Sequence, residues 1–558
     1  MLHILVYHPN RWVYKLSMKK TFELAVQNHQ KNNLEVAQKL YNEILQKNPN
    51  HAGANSNLGI IFKGLGKIEE ARSCYEKAIE INPNHANAHN NLGNLLKDLG
   101  EIEKAKACYE KAIEINPKDA NAHDNLGTIF VKLNEFQKAK NCLEKVIEIN
   151  PNHTDAYNNL GTVFLELGEI EKAKSCYEKA TEINPNHADA HNNLGVVYNE
   201  LEENQKAISH FEKASQIKPN SISVRKNIAS YYISRLDNYE KAINYSHMAL
   251  KTKKESTKFT NQIISSFKLK HDVQQAKYLS SKNYKLKGID AFQKIGEEIL
   301  NRKENKFNKN ILLNQDEIKA LLPFYNESFV YKPKVISESC INPNKNWLKI
   351  EDEYLNSSNQ IMYIDDFLSD EAIKELREFS LVSKVWNSLY QNKYLGAFSD
   401  IGFSSTIHLQ IANDLKEKLP KLFGPHRLGK FWGFKYDSTL GKGINIHADA
   451  AIHNLNFWIT PDEYNNNKNS GGLKVYDVPS PDNWTFNDYN ASYSGDKIHN
   501  FLNDNNANCT NVPYKFNRAV LFNSDYFHET DEIDFKDEYE GRRINNTYLF
   551  GIRIVKKN

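Results

Sequence analysis

Apolar and small residues recur with a period of 34 through the N-terminal part of the chain. Alanines fall at Ala37, Ala71, Ala105, Ala139 and Ala173, and glycines at Gly59, Gly93, Gly127, Gly161 and Gly195. Prolines mark the same period at Pro49, Pro83, Pro117, Pro151, Pro185 and Pro219. Inside one unit the spacing is helical. Leu58, Gly59 and Phe62 form the inner stripe of a first helix, and Ala71, Tyr75 and Ala78 that of a second. The small residues allow two helices to approach closely, Gly66 supplies the turn and Pro83 stops the second helix. Six regular units span about residues 17–220; a seventh is degenerate, with Ala229 in the glycine position and one residue inserted before Ala242. A single unit cannot bury its own apolar face, so the units must stack over residues 18–255.

Beyond the array the pattern changes. Residues 256–305 still read as helical and are expected to cap it, with the basic run KTKKESTK a solvated helix face. Residues 306–358 are polar with short apolar clusters and are expected to form a linker. At Met362 a short apolar strand leads to Ser369, predicted to cap a helix with Glu371 in its first turn. Strand-like runs follow: GGLKVYDV at 471–478, Ala519 to Phe522, and GRRINNTYLFGIRIV from Gly541. Residues 359–558 are long enough for a small jelly roll.

A chain of 558 residues is too long for one core. Its 72 basic and 69 acidic side chains nearly balance, so charge gives no argument for a nucleic-acid partner. No stretch approaches the ~20 apolar residues that span a bilayer. The opening segment lacks a cleavage site, and residues 1–17 read as a non-native extension before a start at Met18. Cys74, Cys108, Cys142 and Cys176 share one repeat position, where small apolar residues pack, and Cys340 and Cys509 stand alone. That usage fits a reducing compartment, hence a cytoplasmic location.

Two constellations carry chemistry. In the first, His447-Ala448-Asp449 lies on an expected strand, where positions two apart face one side and offer an imidazole and a carboxylate to one metal. The triplet alone means little: His153-Thr154-Asp155 and His187-Ala188-Asp189 repeat it at the starts of helices. Context supplies the rest, with His528 after an apolar strand and then Arg543 and Asn545 sharing a face. Arg542 is the rival and should point to the other side, while His453 and His499 read as bystanders. The second constellation is a ladder, Asn57, Asn91, Asn125, Asn159, Asn193 and Asn227, beside the inner stripe of each first helix. A carboxamide both donates and accepts, so such a ladder could hold an extended peptide by its backbone; duplication in an asparagine-rich chain is the plainer reading.

The 34-residue unit resembles the tetratricopeptide repeat, although the usual Trp is replaced by Asn55, His89, His123, Tyr157 and His191. The asparagine ladder resembles that of O-linked N-acetylglucosamine transferases, whose catalytic pattern is absent here. The C-terminal order of opening strand and helix, His-x-Asp, Gly-Gly strand, His and Arg resembles iron(II)- and 2-oxoglutarate-dependent oxygenases of the prolyl-hydroxylase type. This resemblance implies an all-α superhelix followed by a double-stranded β-helix with flanking helices. It implies that His447, Asp449 and His528 hold Fe(II), that Arg543 and Asn545 bind the distal carboxylate of 2-oxoglutarate, and that Tyr436 lies near that co-substrate. Core filling is the other reading of Tyr436. O2 would be the second co-substrate and ascorbate a reductant. Asp449 and His528 are 79 residues apart and Arg543 lies 15 beyond His528, so extra loops are expected. Trp484, Phe486, Tyr489 and Tyr493 in the long insertion 479–512 would form either a lid or surface packing. The implied activity is hydroxylation of a C–H bond in a protein or peptide held by the repeats. Action on a small molecule or glycan, and an inactive scaffold, are the alternatives.

Overall fold

The computed structural model describes residues 9–256, 262–302, 310–390, 394–437, 443–481, 483–484, 486–490 and 494–551. They form two compact units, Met1–Ile217 and Lys218–Asn558.

The first unit is a run of antiparallel helix pairs, of which Ala52–Gly64 with Ile68–Ile81 and Ala86–Asp98 with Ile102–Ile115 are typical. The periodic alanines are fully buried, as are Tyr75, Tyr109 and Tyr177. Gly59, Gly93, Gly161 and Gly195 each receive an aromatic ring of the partner helix, and Gly127 receives Leu143. A Cβ on Gly161 would lie 2.7 Å from Tyr177 Cε1, whereas one on Gly64 would meet nothing within 4 Å. Gly161→Ala is therefore expected to lower stability by about 2 kcal/mol through overpacking. Gly64→Ala should raise it by up to about 1 kcal/mol through helix propensity; thermal melts of the two variants should move in opposite directions.

The coincidental His-x-Asp triplets are helix starts. His153 Nδ1 accepts from Ala156 N at 3.2 Å and His187 Nδ1 from Ala190 N at 3.0 Å, each satisfying an otherwise unpaired amide. Of the expected extension, residues 1–8 lie outside the described residues, and 9–17 continue into the helix Pro9–Gln30.

The degenerate seventh pair, Ile222–Arg235 and Tyr239–Ser256, belongs to the second unit. Its second helix is tied down by Ser246 Oγ donating to Ser399 O (2.7 Å) and by His247 Nε2 beside Ser404 O (2.9 Å). The basic run at its end is helical through Ser256; Thr257 and Lys258 lie outside the described residues. The region expected to cap the array is instead part of this unit's core. Strand β1 (Ile263–Ser265) pairs with β2 (Asn310–Leu312), and helix Ser266–Ser281 buries Phe267, Leu269, Val273, Ala276 and Leu279. That helix packs on Asp370–Val382, where Gln275 Nε2 donates to Leu381 O and Ser383 O. The expected linker is also structured. It holds β2, the helix Gln315–Tyr325 with an Asn314/Glu317 capping box, and the helix Trp347–Leu355. Its apolar residues Leu321, Phe324, Ile336, Trp347 and Tyr354 are spaced too irregularly to show a period, yet all are buried.

The C-terminal β-region opens with β3 (Ile361–Ile364) and the helix Asp370–Val382. Ser369 occupies the cap position, but its hydroxyl donates to Ser339 O at 3.0 Å and makes no cap bond. The remaining strands are β4 (Ser388–Leu389), β5 (Tyr394–Phe398), β6 (Leu428–Tyr436), β7 (His453–Trp458), β8 (Leu473–Pro479), β9 (Cys509–Val512), β10 (Ala519–Asn523), β11 (Tyr526–Thr530) and β12 (Ile544–Phe550). Seven of them form one antiparallel sheet in the order β3-β10-β7-β12-β6-β5-β4, and β11-β8-β9 form another. Phe434, Tyr436, Trp458 and Phe522 of the large sheet share a core with Leu473, Val475 and Val512 of the small one. This is the jelly-roll, double-stranded β-helix arrangement with flanking helices.

Candidate metal centre

The metal candidates come from both edges of that core. His447-Ala448-Asp449, expected on a strand, lies in residues 443–452, which run irregularly between β6 and β7; they form one β-bridge, His447 with His528, and further backbone bonds from Thr530 N to Ile444 O and from Ile452 N to Phe550 O. The bridge is reciprocal: His447 N donates to His528 O at 3.0 Å and His528 N to His447 O at 2.8 Å. Alternation survives without a strand. Ile446 and Ala448 pack one way into a small apolar cluster with Phe527, while His447 and Asp449 face the opposite cavity.

Among the described residues, His447, Asp449 and His528 form the one group of three potential ligands whose donor atoms all lie within 4.8 Å of one another. Each imidazole is fixed by its Nδ1. His447 Nδ1 lies 2.8 Å from Asn445 O, and His528 Nδ1 lies 3.1 Å from Tyr526 O. Both rings thereby donate from Nδ1 and leave Nε2 with a lone pair for a metal. His528 Nε2 is 3.5 Å from Asp449 Oδ2, which also accepts from Asn454 Nδ2 at 2.7 Å. Burial raises the Asp449 carboxyl, against the opposing pull of His447 and Asn454. Burial, with the neighbouring His447, pushes the His528 imidazole well down. Both groups thus resist carrying their own charge, and a divalent cation would relieve the carboxylate while using the neutral imidazole.

The cavity beside the triad has an empty volume of about 360 Å³. Trp432, Phe434 and Trp458 supply aromatic wall, and Tyr436, Arg543 and Asn545 line it as well. Arg543 is 2% exposed. Its Nε donates to Gly471 O at 2.6 Å and its Nη2 to Gly472 O at 3.3 Å, while Nη1 is buried without a hydrogen-bond partner. The guanidinium carbon stands 4.8 Å from the Tyr436 ring centroid. Asn545 Oδ1 is likewise buried without a partner. Arg542 turns away: it donates to Gln274 Oε1 at 2.7 and 3.2 Å and lies 3.6 Å from Asp437. Of the two bystanders, His453 lies on β7 outside both the triad and the cavity lining, with its ring 5.2 Å from that of His426. His499 belongs to the helix Gly495–Asp504 of the insertion.

Asn454, Asn456 and Asn490 escaped the sequence reading. Asn454 and Asn456 alternate on β7 and are 0% and 5% exposed. Asn456 Nδ2 donates to Asn454 Oδ1 (2.7 Å), and Asn456 Oδ1 accepts from Thr547 (2.5 Å) and Asn545 (3.3 Å). A continuous chain of amides thus runs from the metal candidate Asp449 to Asn545. The signal was the polar-apolar alternation of HNLNFW, masked by the many asparagines elsewhere. The long insertion is braced behind the ligands: Asn490 Nδ2 donates to Ala448 O at 2.8 Å, and Ala448 N donates to Tyr489 O at 3.1 Å. Tyr489 is buried with Ile446 and Phe527, and Trp484 packs against them. Tyr493 and the Phe486 side chain lie outside the described residues.

In the repeats, the ladder amides bridge successive first helices. Asn125 Nδ2 donates to Asn90 Oδ1, Asn159 Nδ2 to Asp124 Oδ1 and Asn193 Nδ2 to Asn158 Oδ1, all at 3.0–3.1 Å. Asn57 donates to Tyr41 Oη instead, at 3.1 Å. Asn91 and Asn227 are half-buried at the equivalent positions.

Residues 61–220 match models of the tetratricopeptide repeat. The matches described as "Tetratricopeptide repeat" cover 86–119, 108–141 and 152–220, and those described as "TPR repeat" cover 61–100 and 127–168. No curated protein matches the chain. Among solved structures, YrrB, described as a TPR protein with an unusual peptide-binding site, is 29% identical over 33% of this chain and 95% of its own, with a TM-score of 0.29. MamA is 28% identical over 29% of this chain and 95% of its own (TM-score 0.27), and PilF of Pseudomonas aeruginosa 20% over 38% and 96% (TM-score 0.36). No described helix is long and apolar enough to cross a membrane.

Proposed function

We propose that this protein is an iron(II)- and 2-oxoglutarate-dependent hydroxylase whose substrate is a protein or extended peptide held by the repeats. The observation that carries the reading is one cavity holding two different vacant capacities. Two imidazole Nε2 atoms and a carboxylate converge within 4.8 Å, and a buried guanidinium nitrogen in the same cavity has no partner. Two imidazoles and one carboxylate suit iron(II) and leave coordination positions open. A guanidinium fork against an aromatic wall suits a carboxylate, and Arg543 with Asn545 would take the distal one of 2-oxoglutarate, with Tyr436 shaping the same wall. Bound iron(II), with 2-oxoglutarate and O2, would supply the oxidation that places one oxygen atom in a substrate C–H bond and the other in succinate, with loss of CO2; ascorbate would keep the iron reduced. The chain's own part is to bind, to orient and to exclude water. The Asp449–Asn454–Asn456–Asn545 chain fixes the metal candidate and the carboxylate pocket in one register.

The groove reading rests on the ladder. Each bridging amide spends one N–H on the neighbouring repeat and keeps another N–H for a peptide carbonyl. Asn125→Ala combined with Asn159→Ala should weaken binding of an extended peptide on the order of tenfold, at about 1 kcal/mol or less per lost bond. Asn158→Ala removes a bridge from its acceptor side but spares the ladder, and it should leave affinity nearly unchanged. Fluorescence anisotropy of a labelled peptide measures both. Intact-mass analysis of bound proteins, incubated with iron(II) and 2-oxoglutarate, tests the whole reading: it should show the gain of one oxygen atom.

A further inference from the structure

The residue before each first helix must offer an acceptor to the helix's unpaired amides, and Ser, Thr, Asp and Asn ordinarily do so. In the repeats this position recurs every 34 residues. It holds Asp119 and Ser221 in two of them but histidine in four: His51, His85, His153 and His187. All four imidazoles cap. His51 Nδ1 accepts from Ala54 N at 3.1 Å, His85 Nδ1 from Ala88 N at 3.3 Å, His153 Nδ1 from Ala156 N at 3.2 Å and His187 Nδ1 from Ala190 N at 3.0 Å. Asp119 Oδ1 accepts from Asn121 N and Ala122 N at 3.1 and 3.2 Å, and Ser221 Oγ from Val224 N at 3.4 Å. The histidine-capped helices carry Asn57, Asn91, Asn159 and Asn193 of the ladder.

An imidazole accepts only while Nδ1 is unprotonated; the imidazolium has two donors and no acceptor. Protonation therefore removes the cap and sets a positive charge against the positive end of the helix dipole. The surroundings differ from site to site. The Phe22 ring of the helix Pro9–Gln30 lies against His51, with centroids 4.8 Å apart. Burial lowers the His85 imidazole, and His89, one turn on, pushes the same way. Asp124, on the preceding first helix, acts on His153. Asp155 Oδ1, also on the preceding first helix, lies 2.9 Å from His187 Nε2, and His191 acts on His187 from its own helix. The two carboxylates ease a charge on their rings but cannot give back the lost acceptor. A cap that needs neutral histidine contributes its stability above the free imidazole value of about 6.5 and loses it as the pH falls through the folded value. We propose that the array is a grip that opens on acidification: protonation of His51, His85, His153 and His187 frays the starts of four first helices and loosens the peptide groove they form. The release of peptide rests on the groove reading above. Stacked repeats are stabilised through their neighbours, so four frayed starts weaken the array together.

Thermal melts of the full-length chain at about pH 7.5 and about pH 5.5, on either side of the free imidazole value, test this through the helical circular-dichroism signal. The comparison is a variant carrying His51→Asn, His85→Asn, His153→Asn and His187→Asn, because asparagine caps without titrating. Wild type is expected to lose roughly 5–10 °C more than this variant on acidification, as four caps of ordinary strength should in an array of this size. Asp119→His adds a fifth titrating cap and should widen the loss. Affinity for a labelled pool of random-sequence peptides, read by anisotropy, should fall about tenfold over the same interval in wild type and much less in the asparagine variant. Equal losses of melting temperature in wild type and the asparagine variant overturn the proposal. So does a wild-type affinity that holds at the lower pH. A pool that binds neither protein at the higher pH overturns the groove reading and the release with it, while the melts still judge the caps.

Discussion

Alanine in place of His447 or His528 is expected to abolish succinate release from 2-oxoglutarate and to weaken iron(II) binding by well over a hundredfold. Removal of groups that merely orient a ligand costs 10–100-fold in metal affinity in comparable sites, and removal of a ligand itself must cost more. The surroundings sharpen the expectation. With His447 gone, Asp449 keeps His528 Nε2 at 3.5 Å and Asn454 at 2.7 Å, so the pocket need not collapse, but two donors cannot hold a labile divalent ion. Two further variants bracket the result. Asn454→Ala leaves all three donors in place and frees the carboxylate to rotate, so affinity should fall by about 10–100-fold. His453→Ala changes a histidine that points elsewhere, toward His426 and Phe423, and should leave metal binding intact. Manganese(II) binding under calorimetry reads the affinities without oxidation, and succinate formation reads turnover. Equal succinate yields from wild type and His447→Ala would refute the enzyme reading and leave a repeat protein with an inert jelly roll.

The parts of this molecule that were legible in its sequence are those in which one physical requirement repeats. A glycine is demanded at this position by a bulky side chain pressed against the same backbone, Tyr75, Tyr109 and Tyr177 in three repeats, Leu143 and Phe211 in two others, so the period of 34 carries the helices with it. The candidate ligand set was legible for a different reason: the His-x-Asp triplet recurs at two helix starts and says little, but at 447–449 it is followed by His528 and Arg543 after strand-like runs. The secondary structure around them was not. His447 and Asp449 alternate like strand residues because Ile446 and Ala448 are pulled into an apolar cluster under the insertion, a packing relation made by residues some fifty positions away. The stretches read as cap and linker failed similarly. Helix Ser266–Ser281 is buried on nearly every side, including Lys268, His271, Asp272 and Gln275, so no amphipathic stripe marks it. Lys268 and His271 both turn to Asp272 of the same helix, and Gln275 donates to the backbone of Leu381 and Ser383, a partner that only the tertiary structure supplies.

The sharpest division the structure permits is between two adjacent arginines. Arg543→Gln is expected to raise the KM for 2-oxoglutarate on the order of a hundredfold, while the melting temperature changes little. The guanidinium is anchored by Gly471 O and Gly472 O and keeps Nη1 for a ligand, so its loss removes a charge-assisted pair worth about 3 kcal/mol. Arg542→Gln should do the reverse. Arg542 is 1% exposed and spends its hydrogen bonds on Gln274 while facing Asp437, so its removal takes away one half of a buried ion pair and costs about 3 kcal/mol of stability. Its guanidinium does not reach the cavity that Arg543 lines, and the KM should hold. Lysine at 543 should recover only part of the affinity, because an ammonium cannot keep both glycine carbonyls and still present a fork. A raised KM in Arg542→Gln with an unchanged one in Arg543→Gln would place the co-substrate on the wrong side of β12 and remove the basis for the carboxylate pocket.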